Sequence, residues 1–117
     1  MADKTRIIDV YAKGGAFNYV FKRFTGQKDD YNSSDLSLLR QLFSNEKARL
    51  LNVIKMKQPK SIYSLAKFLN RDFKNVREDV LLLKKFGFID LIAEKSGNRR
   101  MHKPVLTANS ISIIVRI

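Results

Sequence analysis

The chain has 117 residues, 44% of them hydrophobic and 29% charged, which is the make-up of one folded domain rather than of a disordered segment. It has no cysteine and a single histidine, His102, which excludes disulfides, Cys/His zinc sites, thiol catalysis and any Ser–His–Asp triad not built on that residue. Its 23 Lys and Arg stand against 11 Asp and Glu, a net charge of +12, so a polyanion is the partner that composition favours.

Thr5 to Ala12 is rich in β-branched and aromatic residues and reads as a strand, ended by the turn at Gly14-Gly15. Phe17, Val20, Phe21 and Phe24 recur at helical spacing, so Ala16 to Phe24 is expected to be a short amphipathic helix with an aromatic core face. Thr25 to Asn32 is a polar loop containing Asp29-Asp30. Ser33 or Ser34 can cap a following helix bearing Leu36, Leu39, Leu42 and Phe43 on one side. Ser44 caps another, with Glu46 in its first turn and Ala48, Leu51, Val53, Ile54 and Met56 as its apolar side; Pro59 stops it.

Ser61 opens a helix of about eight residues whose buried face is Ile62, Leu65, Ala66 and Leu69. Asn70-Arg71-Asp72 is a polar turn, and Asp72 caps a second helix in which Val76, Val80, Leu83 and Phe86 recur every three or four residues until Gly87. Two helices joined by about three residues make a helix-turn-helix. Phe88 to Glu94 and Met101 to Leu106 read as strands around a Gly-Asn turn, with Pro104 marking an edge strand. A hairpin in that position is a wing. Ile111 to Ile117 alternates as a half-buried strand.

The charge is localised. Residues 47–103 hold fifteen basic and five acidic residues, whereas residues 1–46 hold seven and six. With Val76, Val80 and Leu83 turned inward, Lys74, Asn75 and Arg77 face out near the start of the second helix, where a recognition helix meets base edges. Arg is the bidentate reader of guanine and Asn of adenine, so Arg77 and Asn75 are the expected base contacts. Arg71, Lys74, Lys60 and Ser61 are expected at phosphates, and the wing adds Lys95, Arg99, Arg100 and Lys103, with His102 as a polar strand residue. The carboxylate pairs Asp29-Asp30 and Glu78-Asp79 fit a loop and a helix better than acid–base chemistry; Asp79 is expected to pair with a nearby Arg or Lys. No phosphate loop, nucleophile elbow or metal motif is present, so no enzyme and no cofactor are expected.

Residues 34–106 resemble the winged helix-turn-helix regulators of the broad MarR/ArsR-like class, and more narrowly a group of small regulators common in archaea and on plasmids. The resemblance is carried by Leu38-Leu39, Ser44 with Arg49-Leu50-Leu51, Pro59-Lys60-Ser61, Leu65-Ala66, Arg71-Asp72, Asn75-Val76, Asp79-Val80, Leu83 and Gly87-Phe88-Ile89. It implies duplex-DNA binding as a dimer and regulation of transcription, in some members as antitoxins.

The expected fold is α+β, mainly α: a winged helix-turn-helix over residues 33–117 preceded by a β-α extension over residues 1–32, and followed within it by a C-terminal strand. The expected function is a sequence-specific, double-stranded DNA-binding transcriptional regulator with its recognition helix at about residues 73–86 and its wing at about 94–104. It is expected to be a cytoplasmic, nucleoid-associated homodimer, without the apolar run of a signal peptide or a membrane span. The rival expectations are a nonspecific architectural DNA-binding protein and an antitoxin-type module whose protein partner sits on the N-terminal residues.

Overall fold

A computed structural model of the chain describes residues 5–13, 16–22, 32–33 and 36–117. Six strands and four helices follow one another among them: β1 (Thr5–Lys13), β2 (Ala16–Lys22), β3 (Asn32–Ser33), α1 (Leu36–Leu42), α2 (Asn45–Lys57), α3 (Ile62–Leu69), α4 (Phe73–Lys85), β4 (Ile89–Ser96), β5 (Arg99–Leu106) and β6 (Ser110–Arg116). They form two units, residues 1–41 with 108–117 and residues 42–107.

The first unit contains a four-stranded sheet in the order β3-β2-β1-β6, together with most of α1. β1 pairs antiparallel with β2 and parallel with β6, and Arg6 through Val10 are all buried, as befits a central strand. Thr5 and Ser110 join their hydroxyls at 2.9 Å at one end of the β1–β6 pair, and Arg116 reaches Asp9 at 3.6 Å near the other.

This sheet corrects two expectations. The fold is mixed α and β, not mainly α, because the described residues contain a mixed sheet and a separate hairpin beside the four helices. Nor is the N-terminal extension β-α: Ala16–Lys22 is a strand in register with β1, Lys13 opposite Ala16 and Ile7 opposite Lys22. A nine-residue helix is marginal by itself, whereas Phe, Tyr and Val suit a pleated surface whose amides β1 already satisfies. The same pairing logic places β6 beside β1, so the last strand belongs with the N-terminal sheet and not with α2, α3 and α4, as a division at residues 32 and 33 would have it. β6 is also not half-buried: Ile113, Ile114 and Val115 are exposed. Gly14-Gly15, Phe24, Asp29-Asp30 and Ser34 lie outside the described residues.

The second unit follows from local chemistry. The Ser44 hydroxyl caps α2 by accepting the Lys47 amide at 3.2 Å. Gln58, left-handed at φ 48°, ends α2 with its amide on the Ile54 carbonyl, and Pro59 follows. Its buried residues are Lys47, Leu50 and Ile54; of the expected apolar side Ile54 is buried, Leu51 and Val53 are half-buried, and Ala48 and Met56 are exposed. Lys47 is turned inward, with its ammonium 3.4 Å from Asp79 of α4.

α3 buries Ile62, Leu65, Ala66 and Leu69, and α4 buries Val76, Val80 and Leu83. Asn70 at φ 53° closes α3: its own amide bonds the Lys67 carbonyl and the next amide, Arg71, bonds that of Ala66. Gly87 at φ 80° closes α4 in the same way, through Gly87 N–H to Lys84 and Phe88 N–H to Leu83. The chain then enters the β4–β5 hairpin, whose base is tied to the helix end by the Thr107 hydroxyl on the Gly87 carbonyl at 2.6 Å and the Thr107 amide on Phe88. Phe86, Phe88, Ile89 and Pro104 complete the core. At the hairpin tip, Gly97 at φ 63° leads the two-residue Gly97-Asn98 turn, as a type II′ turn requires. No helix among the described residues is long and apolar enough to cross a membrane.

Candidate nucleic-acid interface

α3, the first two turns of α4 and strand β5 meet around a cleft of about 300 Å³ lined by Ser61, Ile62, Tyr63, Phe73, Arg77, Arg99, Arg100, Met101 and His102. Residues far apart in sequence are therefore neighbours: Arg77, on the exposed face of α4, opens onto the same space as Arg99, Arg100 and His102 of the hairpin. Lys74 and Asn75 are exposed one turn earlier, at the start of α4. Asp72 caps that helix by accepting the Asn75 amide at 3.4 Å, which leaves the Asn75 side-chain amide open to solvent.

The cations of this surface are largely uncompensated. Lys60, Lys74, Arg77, Lys95, Arg99, Arg100 and Lys103 form no ion pair with any described residue. The hairpin register sharpens the point. Lys95 stands directly opposite Arg100, so two like charges share one face of the ribbon, an arrangement that costs stability within the chain. An external anion removes that cost.

Arg71 behaves differently. Its side chain is only 20% exposed, and its guanidinium lies 2.9 Å from Asp79 Oδ2 and 3.4 Å from Glu46 Oε2. The close contact is ionic without hydrogen-bond angles, since neither Arg71 Nη1 nor Asp79 Oδ2 has a hydrogen-bond partner. Asp79 also takes Lys47, and these charges tie α2 to the turn and to α4. Arg71 thus braces the turn between α3 and α4 through Asp79 and Glu46, a role beyond the phosphate contact expected of it from the sequence. Ser61 is likewise committed: its hydroxyl accepts the Ser64 amide at 3.0 Å and donates to the Ser64 hydroxyl at 3.1 Å, capping α3 at the edge of the cleft.

Tyr63 and Phe73 are cleft residues that sequence reasoning missed. Both line the 300 Å³ cleft and also a neighbouring groove of about 440 Å³ that runs past Lys67 and the Asn70–Asp72 turn. A signal existed: the inward register of α3 is Ile62, Leu65, Ala66 and Leu69, which leaves Tyr63 outside it. Among the described residues no group of three His, Cys, Asp or Glu is placed to hold a metal ion.

The arrangement offers fixed positive charge beside a helix terminus and a ribbon, with Asn and Arg side chains capable of bidentate hydrogen bonding to base edges. No curated protein matches the chain. Residues 42–113, which run from the end of α1 through α2, α3, α4 and the β4–β5 hairpin into β6, match the HVO_A0114 family, and since that is well over half of the 117 residues, the chain belongs to this family.

Proposed function

We propose that the protein is a sequence-specific, double-stranded DNA-binding transcriptional regulator and not an enzyme. The reading rests above all on one observation: Arg77 of α4 and Arg99 and Arg100 of the hairpin border a single cleft, without ion-pair partners among the described residues, and Lys74 and Asn75 are exposed beside them. α4 enters the major groove, Arg77 and Asn75 read base edges, and Lys74 and Lys60 contact phosphates. The hairpin lies along the backbone or in the minor groove, where Lys95, Arg99, Arg100 and Lys103 meet closely spaced negative charge. The resemblance of residues 34–106 to winged helix-turn-helix regulators supports the same reading.

The protein acts as a cytoplasmic, nucleoid-associated homodimer, its two α4 helices about 34–36 Å apart on one face of the duplex. The outer edge of β6 supports self-association: no described strand pairs with it, and Ile113, Ile114 and Val115 are exposed there.

Selection of bound duplexes from a random pool tests the function. The expected result is an enriched site at which Arg77→Ala relaxes one base position by about 1–3 kcal/mol while weakening other sequences little. Binding with no enriched site would overturn sequence specificity and assign an architectural role. No binding at all, with a stoichiometric protein partner that survives removal of the hairpin, would assign an interaction module.

A further inference from the structure

Single exposed apolar side chains are ordinary on protein surfaces. Tyr63 and Phe73 differ in being a pair. Their ring centroids are 6.5 Å apart and tilted by 50°, within the range of favourable aromatic contact. Tyr63 is 58% exposed and Phe73 44%, so neither is core. The Lys67 ammonium lies 4.8 Å from the Tyr63 centroid, holding that ring from the side of α3. Tyr63 is thus gripped between Lys67 and Phe73, and Phe73 is backed by a ring that is itself held. Both rings keep open surface, and that of Phe73 sits on the first residue of α4, one turn before Arg77.

What covers this surface is set by the charges around it. Arg77, Arg99 and Arg100 line the same cleft and lack partners among the described residues, which suits a polyanion and disfavours an apolar protein segment. The base edge that offers both hydrogen-bond acceptors for Arg and an apolar group for Phe is the major-groove edge of duplex DNA, where only thymine carries a methyl group.

We propose that Phe73, propped by Tyr63, is a specificity-determining residue that packs on a thymine methyl next to the base contacted by Arg77. This rests on the duplex-DNA reading above and adds to it a base preference that hydrogen bonding does not supply. A tilted pair with one ring face already occupied by Lys67 does not form a slot for an unstacked base, so the contact is made at the groove edge and not by insertion.

The test uses the full chain and the duplex it selects from a random pool, resynthesised with deoxyuridine replacing each thymine in turn, which deletes only the methyl. With the wild-type chain, one thymine per half-site should be sensitive, its replacement weakening binding about fourfold, the value of one buried methyl-sized group. With Phe73→Ala that position should become indifferent to the methyl. With Phe73→Leu, which keeps an apolar side chain on the same helix position, sensitivity should be partly retained. A selected site at which no thymine methyl matters to the wild-type chain, or matters equally to wild type and Phe73→Ala, would overturn this inference and leave the regulator reading standing. Failure of the wild-type chain to select any duplex would overturn both. If Phe73→Ala does not fold, Phe73→Leu decides the attribution, because undiminished sensitivity at that thymine would overturn the inference.

Discussion

Removing the two hairpin arginines, Arg99→Ala with Arg100→Ala, is the sharpest perturbation of the interface. Both side chains are exposed, line the cleft and lack partners among the described residues, so their loss costs the fold little. It even relieves the like-charge opposition of Lys95 and Arg100. The proposed function puts six cations that lack ion-pair partners among the described residues at phosphates: Lys60, Lys74, Lys95, Arg99, Arg100 and Lys103. Each neutralised phosphate contributes about −0.9 to the slope of log affinity against log salt, so one protomer should show a slope of about −5. Deleting two contacts should make it shallower by about 1.8. Between 50 and 200 mM salt that difference amounts to about a tenfold smaller loss of affinity. Fluorescence anisotropy of a labelled duplex, titrated at four or five KCl concentrations, reads the slope directly. The reasoning is refuted if the double variant binds with the wild-type slope, because the hairpin would then lie away from the phosphates.

Three further outcomes separate bracing residues from contacting ones. Arg71→Ala should leave the salt slope unchanged but destabilise the fold by about 2 kcal/mol, because Asp79, 17% exposed, loses its nearest cation; thermal melting should fall by roughly 8–15 °C. A shallower slope at unaltered stability would instead return Arg71 to the DNA-contacting set. Ser61→Ala should cost about 1 kcal/mol through loss of the α3 cap, seen as a lower urea midpoint with an unchanged m-value. Gly97→Ala should cost about 1–2 kcal/mol from backbone conformation alone, since φ is 63° and no atom lies within 4 Å of the added methyl; circular dichroism melts should show the loss and the salt slope should persist.

Much of the second unit was legible because its determinants are local. A cap hydroxyl and the amide three residues on, an inward face repeating every three or four residues, and a glycine at a helix end all act within one or two turns. Ser44, Ser61, Asp72 and Gly87 accordingly occupy the positions read for them, and Ile62, Leu65, Ala66 and Leu69 are all buried. The outward placement of Lys74, Asn75 and Arg77 followed from the same periodicity.

Long-range partners decided the rest. Phe17, Val20 and Phe21 satisfy a helical and a strand pattern alike, and only pairing with β1 selects the strand. The alternation of β6 identifies a strand but not its neighbour, because backbone hydrogen bonds carry no residue code across a hundred positions. That Asp79 pairs with an Arg or Lys is expected from the sequence, but only the tertiary structure selects Lys47 and Arg71, because an ion pair is a property of distance, not of sequence spacing. The juxtaposition of Arg77 with Arg99 and Arg100 is of the same kind. Composition determined that the chain carries an excess of positive charge over residues 47–103, but only the packing of α3, α4 and β5 decided which of those charges stay free for an external anion.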